Sequence, residues 1–121
     1  MIYKLDFQTV LPGLEKSKFR MKFQLDKEDR VYIKKIGSGK LREHAQDFVQ
    51  TRLSPAEPLN DGKQTPFKGH PVFKAQHATA TCCRGCLKKW YGISKGRALT
   101  REESRAVVSV LIAWIERQLQ F

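Results

Sequence analysis

Between Gly62 and Arg101 the chain carries no aspartate and no glutamate, while nine lysines and arginines stand in those forty residues. Nothing in that stretch supports acid–base chemistry by paired carboxylates, and its positive charge is unopposed by sequence neighbours. Cysteine is scarce too. There are three, at 82, 83 and 86, an odd number with two adjacent, which is a poor start for a disulfide framework. No second Cys-x-x-Cys exists to complete a four-thiolate zinc or iron–sulfur site. No apolar run nears the ~20 residues a membrane span requires, and Met1-Ile-Tyr-Lys-Leu-Asp6 contains no signal-peptide core. The expectation is a cytoplasmic protein with reduced thiols and no membrane partner.

What is present fits a single domain over residues 1–121, long enough to close a modest core. Seven Phe and two Trp among 40% apolar residues make a globular composition rather than a disordered one. The pattern predicts a mainly α, compact bundle of about four to five helices with a long central loop. Asp26 is placed to cap a helix over Lys27–Ile36 that Gly37 ends, and Ser38 a second helix running to Leu53. Residues 54–69 hold three Pro, two Gly and the Asn60-Asp-Gly62 turn signal, hence the loop. Pro71 suits the first turn of a following helix. Thr100 with Glu103 is a capping box, and Val107, Val108, Leu111, Trp114, Ile115 and Leu119 then form a broad apolar face. The exception is residues 18–25, where Phe19, Met21, Phe23 and Leu25 alternate with polar residues and predict one short β element.

The richest segment is His70-Pro-Val-Phe-Lys-Ala-Gln-His-Ala-Thr-Ala-Thr-Cys-Cys-Arg-Gly-Cys86. Cys83-x-x-Cys86 has the spacing of half a zinc site, so His77, Cys82, Cys83 and Cys86 are candidate metal ligands and zinc the candidate ion. On one straight helix over Val72–Trp90, however, His77 would lie nearly opposite Cys83, and a break is needed to join them. Two other readings stand beside this one. The cysteines can be small hydrophobes in a helix–helix contact. Alternatively, Cys83 or Cys86 is a nucleophile with His70 or His77 as base, its thiol lowered by Arg84, Lys88 and Lys89.

The whole chain carries a formal charge of +11, with 12 basic and 8 acidic residues in 1–60 and 11 and 4 in 61–121. Such a balance favours a polyanion, nucleic acid first and an acidic protein second. The loop and helix region 60–101 supplies the candidate phosphate contacts Lys63, Lys68, Arg84, Lys88, Lys89, Lys95 and Arg97. Trp90 is more simply a core residue than a stacking platform. Upstream, Lys16, Lys18, Arg20 and Lys22 are a solvated face, or an extension of the phosphate-binding surface if the fold sets them beside the second cluster.

The motifs Asn60-Asp-Gly-Lys-Gln-Thr-Pro66, Gly69-His-Pro-Val-Phe73, Ala75-Gln-His-Ala-Thr-Ala-Thr-Cys-Cys-Arg84, Cys86-Leu87, Lys89-Trp90 and Lys95-Gly96 resemble domain of unknown function family 4186, a small bacterial and phage family. Phe19-Arg20, His44-Ala45, Asp47-Phe48 and Trp114-Ile115 extend the likeness over nearly the whole chain. The resemblance implies one compact intracellular domain and supplies no activity. A histidine is expected after the Lys-Trp pair, where this chain has Tyr91. Three functions follow as expectations: nucleic-acid binding through the phosphate backbone, a Cys/His enzyme or metal protein acting on a phosphorylated or nucleotide substrate, and a protein-interaction module.

Overall fold

The computed structural model describes residues 6–120. Six α-helices and no strand are found among the described residues: α1 (Phe7–Glu15), α2 (Lys18–Met21), α3 (Lys27–Phe48), α4 (Pro71–Ala78), α5 (Arg84–Tyr91) and α6 (Arg101–Leu119). The expected mainly α bundle is therefore present, and the expected β element is not. Ser17 caps a single helical turn by accepting from Arg20 N at 3.2 Å. The alternation at 18–25 has no strand to pair with, and it does not sort residues by burial. Phe19 and Met21 are exposed, Leu25 is buried, and Phe23 lies between.

The two helices expected around Gly37 form one element with a break. Gly37 sits at φ 84°, ψ 163°, outside helical geometry, and kinks the helix between its two arms. Asp26 caps α3 reciprocally with Asp29, and Lys74 of α4 bridges both carboxylates at 3.1 and 2.5 Å. The second arm continues through a π-helical turn over Val49–Leu53, where the sequence pattern also ends.

The core gathers Leu41, Ala45, Val49 and Leu53 from α3 and this turn, Val72 and Ala75 from α4, and Leu87 from α5. Val107, Leu111 and Ile115 of α6 face them. The Thr100–Glu103 box caps α6, whose predicted face is buried except for Leu119 in the last turn. The short α1 packs Phe7, Val10 and Leu14 inward, and a Cβ at Gly13 would lie 3.2 Å from Trp90. Glycine thus lets α1 seat the half-buried indole of α5. No described helix is long and apolar enough to cross a membrane.

The long loop is pinned where it matters. The Thr65 hydroxyl donates to the Cys82 carbonyl at 2.7 Å, and Asp61 accepts from Arg84 N at 3.1 Å, adding a carboxylate to the start of α5. Ala80 takes a left-handed conformation (φ 61°) between α4 and α5. That costs a non-glycine residue roughly 1–2 kcal/mol. Three contacts offset it: Thr79 Oγ1 donates to Ala75 O, the Thr79 and Thr81 hydroxyls lie 3.0 Å apart, and Thr81 N donates to Gln76 O.

Candidate functional site

The break at Ala80 replaces the straight helix over Val72–Trp90 and determines where the thiols point. After the reversal, Cys83 becomes the N-cap of α5 with its Sγ 3.3 Å from Cys86 N, and Cys86 occupies the N3 position. A thiol therefore stands where serine or aspartate usually caps a helix. The Sγ atoms of Cys83 and Cys86 are 3.2 Å apart and those of Cys82 and Cys86 3.6 Å. All three sulfurs lie within 4.8 Å of one another. Cys82 and Cys83 are buried and Cys86 is half-buried. Three close cysteines make a group able to hold a metal ion.

A residue from the other end of the chain completes the surroundings. Arg20 of α2 is buried, and its guanidinium forks between the group and the backbone. Nη1 donates to His77 O at 2.8 Å and meets Cys82 Sγ at 3.6 Å, while Nη2 meets Cys86 Sγ at 3.2 Å. The charge has no carboxylate partner in an ion pair among the described residues, so the sulfurs are its counterpart. The thiols are inequivalent. Hydrogen bonds to Cys83 and Cys86, then burial, push the Cys82 thiol up. Donation from Cys82 and Cys83, with Arg20 beside it, holds Cys86 far below the ordinary thiol range.

The histidines do not join the sulfurs. His77 Nε2 faces the carbonyls of Thr65 and Pro66 at 3.0 and 3.2 Å, so it carries the proton and donates. Its Nδ1 is buried without a hydrogen-bond partner, and burial lowers its pKa. The ring lies under Phe23 and Phe67, with centroids at 5.1 and 4.5 Å. His70 caps α4 instead, its Nδ1 accepting from Val72 N at 3.0 Å while Nε2 meets His44 Nδ1 at 3.0 Å. No histidine nitrogen is hydrogen-bonded to a cysteine sulfur among the described residues, so the geometry of a Cys–His base pair is not assembled. Tyr91, where a histidine was expected, is buried and donates its hydroxyl to Thr79 O.

The basic residues divide. Arg84 is fully buried and spends its guanidinium on the carbonyls of Leu53, Ser54, Pro55 and Ser94, with distances of 3.4, 3.4, 2.9 and 2.8 Å. Its expected role at a phosphate is corrected: four main-chain oxygens occupy it, and none of it reaches solvent. Lys95 pairs with Asp61 at 3.3 Å, and Arg97 grips the buried Glu103 through two bonds of 2.7 and 2.8 Å. Lys63, Lys68, Lys88 and Lys89 are exposed. The fold does set α2 beside the second cluster, as the contacts of Arg20 and the Phe23–Phe67 pair demonstrate. Sequence reasoning missed Arg20 as the thiol partner. Its one signal was membership of the Phe19-Arg20 pair in the family resemblance.

No solved structure matches the chain. A family model described as Domain of unknown function (DUF4186) matches residues 8–116, and the chain belongs to that family.

Proposed function

We propose that this protein binds one thiophilic divalent metal ion, zinc in class, through Cys82, Cys83 and Cys86. The observation that carries the reading is the sulfur spacing. Thiolates held at about 2.3 Å from a tetrahedral ion lie roughly 3.8 Å from each other. Sulfurs at 3.2 and 3.6 Å need only small rotations to meet that edge. A multi-iron cluster would need them farther apart and prefers a fourth cysteine. Arg20 fits as an outer partner, because its donors to Cys82 and Cys86 would orient the ligands and offset their negative charge. Three protein ligands leave one position for water or another exogenous donor, the arrangement of a zinc site that keeps an open coordination place. Cobalt titration tests it: the wild type is expected to give a thiolate-to-metal charge-transfer band at one equivalent, and Cys86→Ser to lose it. An unchanged band in Cys86→Ser would defeat the proposal.

A second reading, nucleic-acid binding through the phosphate backbone, is supported by a different observation. Lys16, Lys18 and Lys22 join Lys63, Lys68, Lys88 and Lys89 as exposed cations that form no ion pair among the described residues. The expected signature is affinity that falls steeply with salt. Salt-independent binding would remove it.

A further inference from the structure

Phe67 is 61% exposed and Phe19 43% exposed, although large aromatic side chains normally gain by burial. Neither is isolated. Phe19 meets Phe23 edge-on at 5.3 Å, and Phe23 and Phe67 lie nearly parallel, 11° apart with centroids at 6.1 Å. The buried His77 ring beneath both, bonded to the Thr65 and Pro66 carbonyls, fixes their orientation. Cations are interleaved with these rings. Lys22 Nζ lies 4.6 Å from the Phe19 centroid and 5.5 Å from that of Phe23. The Arg20 guanidinium carbon lies 5.0 Å from Phe19 and 5.9 Å from Trp90. The result is a strip of rings, Trp90, Phe19, Phe23 and Phe67, joined by positive charge. Exposed lysines adjoin its rings in sequence, Lys18 next to Phe19 and Lys68 next to Phe67. No acidic residue occurs between Glu15 and Asp26 or between Asp61 and Glu102, so neither chain segment brings a carboxylate of its own.

We propose that single-stranded nucleic acid binds along this strip, its unpaired bases stacking on Phe67 and Phe19 and its phosphates meeting Lys18, Lys22 and Lys68. The inference rests on the nucleic-acid reading and adds the form of the ligand and its place. An acidic protein would satisfy the lysines, but its chain does not repeat a flat ring face beside each charge. A duplex would satisfy the lysines too, but its bases already stack on each other. An unpaired strand satisfies rings and cations together, repeating base and phosphate at the spacing of a backbone. Stacking of this kind is tolerant of sequence, since every base has a ring face.

The test is fluorescence anisotropy of the 121-residue protein as purified, with a labelled oligothymidylate of about sixteen nucleotides and a duplex of equal length. The single strand is expected to bind more tightly. Phe67→Ala and Phe19→Ala should each weaken it about tenfold with no change in salt slope. Phe67→Tyr, which keeps a stacking face, should retain affinity, and Lys22→Gln should reduce the salt slope by about one. Thermal melts of the same variants confirm that the exposed rings can be removed without unfolding. Binding that resists both phenylalanine changes yet falls with Lys22→Gln would overturn the strip while sparing the phosphate reading. No binding to either oligonucleotide at low salt would overturn both.

Discussion

Arg20 Nη2 lies 3.2 Å from Cys86 Sγ, across 66 residues of sequence. With the Nη1 contact to Cys82 Sγ, it ties the first third of the chain to the cysteine group and gives the sulfurs a fixed positive neighbour. The same guanidinium holds the His77 carbonyl, at the end of α4, so α2, α4 and α5 are registered against each other at one point. A charge buried in this way is tolerated because each donor used has a partner.

Arg20→Lys should keep the charge and lose the fork. A lysine reaches one acceptor at a time, so the ligands lose their common orienting partner. Metal affinity is expected to fall by roughly 10- to 100-fold, read by competition with a chromophoric chelator. An affinity equal to wild type would show that Arg20 does not act on the site.

Arg84→Lys tests the opposite case, a cation that serves only the fold. It would leave several of the Leu53, Ser54, Pro55 and Ser94 carbonyls without their donor and set a lysine in a site where the arginine side chain is fully buried. A loss of about 3 kcal/mol is expected in urea unfolding. Little or no loss would mean that water or a rearranged loop replaces the guanidinium.

Acid stability should depend on Glu103. The two bonds from Arg97, with the cap at Thr100, hold its carboxyl at about 2 against an ordinary 4.5. A folded-state pKa below the unfolded one contributes stability that is present above about 4.5 and is lost as pH falls toward 2. Glu103→Gln should therefore show a shallower acid limb when stability is followed across that window. Parallel limbs in the two proteins would contradict the pairing.

His70 sets a second window. Burial, then the neighbouring His44, lower its pKa from 6.5 to about 4, with Asp29 acting in the opposite sense. Here too the unfolded chain binds the proton more tightly, so stability falls as pH drops from 6.5 through 4. His70→Asn keeps an N-cap acceptor for Val72 and removes the titration. Its stability is expected to vary less over that range in chemical denaturation series at successive pH values, and an unchanged slope would assign the dependence elsewhere.

Local chemistry was legible in the sequence where it acts over a few residues. The Asp26 and Thr100 caps, the break at Gly37 and the start at Pro71 all depend on neighbours within one turn. The strand-like alternation at 18–25 misled because a period of two says nothing about whether a partner strand exists, whereas Ser17 was positioned to cap a turn. Helix α1 was not anticipated, and it holds Pro12 and Gly13, both poor helix formers, in its interior. In the site, the Cys83-x-x-Cys86 pair was visible as spacing. Cys82 was named with them as a candidate ligand and does join the group, whereas His77 does not; the left-handed Ala80 between α4 and α5 is a conformation that sequence seldom announces for alanine. Arg84 and Arg20 look alike as basic residues in basic runs. Only the fold separates one that satisfies main-chain carbonyls from one that faces thiols.

If the three cysteines act as one metal ligand set, the ion and the thiols protect each other together. The most direct measurement is metal analysis of freshly purified, untagged protein, with thiol counting before and after a strong chelator. One zinc-class ion per chain is expected, with three thiols that resist alkylation until the ion is removed. Metal-free protein that takes up no zinc on reconstitution, or zinc retained in full by Cys86→Ser, would contradict it.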